Sequence, residues 1–139
     1  VIVLVDTSVW SLALRRAARN LSASEKIIVA ELAALIDEGG ARIIGLVRQE
    51  LLSGIKSSEQ FARLREILTA FRDEPVDSED YERAALFSNK CRSEGVSVSV
   101  SDMLICSIAH SRGWPIFSTD PDFKRYVRML PIRIHAPRS

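Results

Sequence analysis

Ile2-Val3-Leu4-Val5-Asp6-Thr7-Ser8 decides the fold. Four apolar residues, three of them β-branched, run unbroken and stop at an acid. An uninterrupted apolar run marks a strand covered on both faces, the central strand of a parallel sheet. An acid directly after such a strand sits at the strand's carboxyl end, where open α/β sheets place their ligands. Working outward, Thr7-Ser8 lead into a short helix, Val9 to about Arg16. Ser22-Ala23-Ser24-Glu25 is a capping box. It opens a helix with Ile28, Leu32, Leu35 and Ile36 at helical spacing, closed by Gly39-Gly40.

Arg42 to Gly45 reads as a second strand and Val47 to Leu52 as a short helix. Ser58 opens a helix carrying Phe61, Leu64, Ile67, Leu68 and Phe71, and Ser78 to about Glu94 is a further one. Val96 to Val100 reads as an extended approach, with Ser101 capping a helix over Asp102 to Arg112. Pro115 to Ser118 and Ile132 to Ile134 read as strands around a short helix near Phe123 to Val127. Short strands alternating with longer helices predict an α/β, three-layer α/β/α fold around a parallel sheet. With 139 residues, the chain is expected to form a single domain over residues 1–139.

Four carboxylates fall at matching positions on this plan. Asp6 ends the first strand, Glu50 lies on the helix after the second, Asp102 opens its helix and Asp120 follows the Pro115–Ser118 strand. Each has an ordinary alternative: Asp102 complements a helix dipole, Asp120 and Asp122 build a turn around Pro121, and Glu50 is solvated. Together they would repel one another. A hard divalent cation, Mg²⁺ or Mn²⁺, is the natural counter-charge for oxygen ligands. His110 and His135 are isolated, and Cys91 and Cys106 have no metal spacing, so a zinc site is not expected. Both cysteines are expected to be buried and reduced. Neither a phosphate-binding glycine loop nor a membrane-length apolar run is present in the sequence, and no signal peptide is visible, so a cytoplasmic location is expected.

The four strings around these acids resemble the PIN-domain ribonucleases, specifically VapC-type toxins of toxin–antitoxin pairs. The strings are Val3 to Trp10, Val47 to Leu52, Ser101 to Ala109 and Ile116 to Phe123. The resemblance implies that Asp6, Glu50, Asp102 and Asp120 bind a catalytic metal. Ser8 and Ser118 would be hydroxyls near it, and Asp122 an additional, more variable acid. It implies an Mg²⁺-dependent endoribonuclease that hydrolyses phosphodiesters of RNA with a metal-activated water. Its expected partners are a VapB-type antitoxin and a second copy of itself, with a higher-order complex on the antitoxin. A PIN-like binding module without turnover is the alternative. A phosphatase or receiver domain fits poorly, because no second acid adjoins Asp6.

The net charge is +1, from 19 basic and 18 acidic residues, which excludes binding nucleic acid by bulk charge but not by a local surface. Arg15, Arg16, Lys124 and Arg125 are the substrate-contact candidates. Asp73 to Glu82 holds six acids and no base, and is expected to face away from RNA or toward a basic partner. Trp10, Trp114 and the Phe61–Phe71 face are expected to pack in the interior or at an interface rather than to stack on bases.

Overall fold

A computed structural model describes residues 1–138. Three parallel strands form the sheet in the order β2-β1-β3, with β1 (Val3–Val5) between β2 (Ala41–Arg42) and β3 (Ile116–Phe117). Helices α1 (Thr7–Leu14), α2 (Ala23–Asp37), α3 (Gly45–Leu52), α4 (Ser58–Leu68), α5 (Ser78–Ser93), α6 (Val100–Arg112) and α7 (Asp122–Tyr126) alternate with the strands and flank them, giving the α/β/α arrangement. Val3, Leu4 and Val5 are completely buried, as the unbroken apolar run requires.

The strands are shorter than the apolar runs suggest. Arg42 to Gly45 does not form a four-residue strand: pairing in β2 ends at Arg42, Ile43 adds one bridge to Asp73, and Gly45 already starts α3. Ile43 and Ile44 are fully buried nonetheless. The apolar signal reported burial, not pairing. Likewise Ile134 makes only a single bridge to Ile116, where a strand over Ile132–Ile134 is predicted.

Two helix starts also differ from expectation. Asp6 caps α1, accepting from the Ser8 amide, so that helix begins at Thr7 rather than Val9. Helix α6 is capped by Ser99, not Ser101. The Ser99 hydroxyl accepts the Asp102 amide at 3.1 Å, because a capping oxygen reaches the amide three residues on. Val96 to Val98 is the extended approach, in neither helix nor strand. The Ser22–Glu25 capping box is present on α2. A Cβ on Gly40 would lie 2.1 Å from the Val1 carbonyl oxygen, so only glycine lets α2 hand over to β2 beside the first strand.

Trp10 is core: its indole N–H donates to the Val5 carbonyl, and its ring meets the edge of Phe71 at 4.9 Å. Leu64 and Leu68 are buried, whereas Ile67 on the same helix is exposed. Cys91 and Cys106 are buried free thiols, and burial pushes both above the ordinary thiol pKa.

Three acids of the segment Asp73–Glu82, namely Asp73, Glu74 and Asp80, find basic partners within the chain. Arg48 donates to Asp73, and Arg112 donates to Glu74 and through two nitrogens to Asp80. Arg83 also reaches Asp80. Glu31, another buried carboxylate, is held by His135 and Arg138, which strap the C-terminal segment onto α2.

Candidate metal centre

The site forms where β1 and β3 end and where α1, α6 and α7 begin. Asp6 is only 6% exposed. Its Oδ2 accepts from the Ser8 and Ser118 hydroxyls, each at 2.8 Å. The two serines lie 3.3 Å apart, and each accepts a backbone amide from the β3–α7 turn: Thr119 to Ser8 and Asp120 to Ser118. Asp6 thus fastens the end of β1 to the turn that carries Asp120. The Asp120 carboxylate in turn accepts the Asp122 amide at 2.9 Å.

Carboxylate oxygens of Asp102, Asp120 and Asp122 all lie within 4.8 Å of one another, a spacing that suits a cation between them. Asp6 and Glu50 stand outside this close trio. Glu50 is fixed instead by Thr7, whose hydroxyl donates to Oε1 at 2.6 Å. The sequence ranks Asp122 below Asp120, yet the structure sets both beside Asp102. Asp122 also pairs with Arg125.

Electrostatics mark the same place. Burial pushes the Asp6 carboxyl above its usual pKa, against the hydrogen bonds from Ser118 and Ser8 that hold it down. The Asp102 carboxyl is pushed up to about 6, chiefly by burial, with the charges of Asp6 and Asp120 adding to it. Tyr126 opposes that rise: its hydroxyl donates to Asp102 Oδ2 at 2.9 Å. Two residues of the site, Thr7 and Tyr126, escape a sequence reading. Tyr126 lies 24 residues from its partner and Thr7 lies 43 from Glu50. The only trace is that Tyr126 follows Asp122 at helical spacing.

How these acids are held separates them from the other buried acids. Asp80 and Glu31 sit against guanidinium and imidazole groups. Asp6, Glu50 and Asp102 are held by neutral hydroxyls. Among the described residues, none of Asp6, Glu50, Asp102 and Asp120 forms an ion pair. The chain fixes these side chains without neutralising them, so the donor set fits a hard divalent cation. Both histidines are engaged elsewhere, His135 with Glu31 and His110 with the Pro131 carbonyl.

The sequence profile described as PIN domain matches residues 3–129. The chain belongs to the PIN domain family. Among solved structures, this PIN domain is similar to FitAcB from Neisseria gonorrhoeae, at 20% identity over 98% of each chain and a TM-score of 0.76. It is also similar to VapBC2 from Rickettsia felis bound to a DNA fragment from their promoter, at 18% identity over the whole of both chains and a TM-score of 0.72. VapBC-1 from nontypeable Haemophilus influenzae follows at 16% identity, covering 96% of this chain and 98% of that one, with a TM-score of 0.70. These likenesses are of fold. No curated protein sequence matches the chain.

The predicted substrate contacts separate into two kinds. Arg16 pairs with Glu25 at 3.0 Å, and Arg125 pairs with Asp122. Arg15 and Lys124 are exposed and form no ion pair among the described residues. Arg15 lies with Lys56 and Arg63 around an open groove of about 600 Å³ that no acid lines.

Proposed function

We propose that this PIN domain is an Mg²⁺-dependent endoribonuclease, the VapC-type toxin of a toxin–antitoxin pair, with residues 1–139 acting as one domain. The observation that carries the reading is the hydroxyl-held, unneutralised acid set. A protein gains no stability from crowding carboxylates without counter-charges. Asp102, Asp120 and Asp122, whose carboxylate oxygens lie together, would hold the cation, with Asp6 and Glu50 beside them completing the acid set. Bound there, Mg²⁺ or Mn²⁺ would act as a Lewis acid toward a phosphodiester and lower the pKa of water.

The chain's own groups have separable tasks. Ser8 and Ser118 orient Asp6, and Thr7 orients Glu50. Of the four candidates, Arg15 and Lys124, which form no ion pair among the described residues, are suited to flanking phosphates, with Arg16 and Arg125 available once released from Glu25 and Asp122. The groove lined by Leu46, Tyr81, Val100 and Met103 supports the homodimer reading: Tyr81 is 58% and Val100 83% exposed. A VapB-type antitoxin would inhibit by placing a cation on the acids, since a guanidinium pairs well with carboxylates.

Antitoxin-free protein incubated with RNA tests the reading. Cleavage is expected with Mg²⁺ or Mn²⁺ and not with chelator. RNA binding without cleavage under either metal would favour the binding-module alternative.

A further inference from the structure

We propose that Tyr126 is a positioning residue that presents Asp102 to the cation; this rests on reading Asp102 as a metal ligand. Tyr126 is 1% exposed, and its ring packs edge-on to Phe123 at 5.3 Å. Filling the core needs only the ring, which phenylalanine would supply. A buried hydroxyl adds a cost unless it is paired, and the pairing here is with Asp102 Oδ2 at 2.9 Å.

The placement of α7 gives the bond a purpose. Asp122 and Tyr126 are four residues apart, on one face of that helix. The helix therefore reaches Asp102 twice: Asp122 brings a carboxylate oxygen within 4.8 Å, and Tyr126 brings a donor. Arginine at this position would hold Asp102 and cancel its charge, as Arg112 does for Asp80. A phenol holds the carboxylate and leaves it anionic. It also keeps Asp102 from turning away from Asp120, the direction in which their mutual repulsion would drive it. Hydrogen-bond partners of metal-ligating groups fix ligand orientation, and their loss commonly weakens metal binding by ~10–100-fold.

The test is Mn²⁺ binding to the RNA-free protein, followed by electron paramagnetic resonance, for wild type and Tyr126→Phe. We expect the dissociation constant to rise about tenfold or more. In cleavage assays the Mg²⁺ requirement should rise, while kcat at saturating Mg²⁺ recovers to within a few-fold. Wild type that binds Mn²⁺ alongside a Tyr126→Phe protein within twofold of it would overturn the positioning role and leave the metal site standing. Wild type that binds no Mn²⁺ would overturn both. A second measurement needs no change at Tyr126. The chain has two tyrosines, so Tyr81→Phe protein labelled at the tyrosine ring carbon bearing oxygen reports Tyr126 alone. Its resonance should move on adding Mg²⁺ and stay still in the additional Asp102→Asn background. A resonance that ignores Mg²⁺ in protein that binds it would overturn the proposal, even where Tyr126→Phe fails to fold.

Discussion

Asp6 does three things at once: it ends β1, caps α1 and faces the other acids. Asparagine caps a helix as well as aspartate does, so Asp6→Asn separates chemistry from architecture. We expect it to lose RNA cleavage by more than ~100-fold, beyond what losing a mere partner of a ligand costs, while its melting temperature in chelator stays at or above wild type. The direction follows from the raised pKa, since burial makes the charged form costly. Thr7→Val leaves the backbone intact and frees Glu50. It should cost about 1 kcal/mol of stability in urea melts and lower cleavage, because a swinging Glu50 no longer faces the site. Asp102 gives a pH signature. Its folded pKa of about 6 lies above the unfolded value, so its proton binds more tightly in the folded state. The stability contributed by that proton is present at low pH and is lost as pH rises through 6. Mn²⁺ should therefore raise the melting temperature more at pH 7.5 than at pH 5.

At the scale of elements, α5 and α6 form the most extensive helix pair, and the Asp80–Arg112 pair ties them together. Arg112 holds the Asp80 carboxyl well below the usual carboxylate range. Its stabilisation is complete above the unfolded pKa near 4 and is lost as pH falls below it, the opposite sense to Asp102. Asp80→Ala leaves Arg112 without its main partner and should cost about 3–5 kcal/mol, read as a lower urea midpoint with much of the acid sensitivity removed. The elements were legible where chemistry is local. The Ser22–Glu25 capping box and the Leu32 and Leu35 spacing name α2 outright. The strands were less so, because Ile43 and Ile44 are apolar on account of burial while the backbone there is already turning into α3. Helix α6 starts two residues before the point its sequence suggests, because Ser99 and Ser101 are equally good caps by composition and only the amide geometry chooses.

For the whole molecule, Asp6, Asp102 and Asp120 were legible because each stands at a junction between elements, and junctions can be read from patterning; Glu50, inside α3, has no such marker. Of the acids' hydroxyl partners, Ser8 and Ser118 were legible through the resemblance; Thr7 and Tyr126 were not, because Thr7–Glu50 and Tyr126–Asp102 depend on how the chain closes in space. The near-neutral total charge conceals a sorted surface: Asp73, Glu74 and Asp80 are occupied by Arg48, Arg83 and Arg112, while Arg15, Lys56 and Arg63 are left around a groove without acids. If that sorting serves RNA, Arg15→Ala and Lys124→Ala should weaken binding of unrelated RNA sequences about equally. Each should also reduce the slope of log affinity against log salt by about 0.7.

The junction placement has a consequence for how the protein comes into being. Asp6 caps α1, and Asp102 lies in the first turn of α6, so both carboxylates face the partly positive ends of helices. Backbone dipoles at these ends offset part of the crowding without an ion. We therefore expect the scaffold to reach its final shape without a cation and to take up the metal last. Chelated protein should keep its far-ultraviolet circular dichroism in full, and returning Mg²⁺ should restore cleavage without a refolding lag.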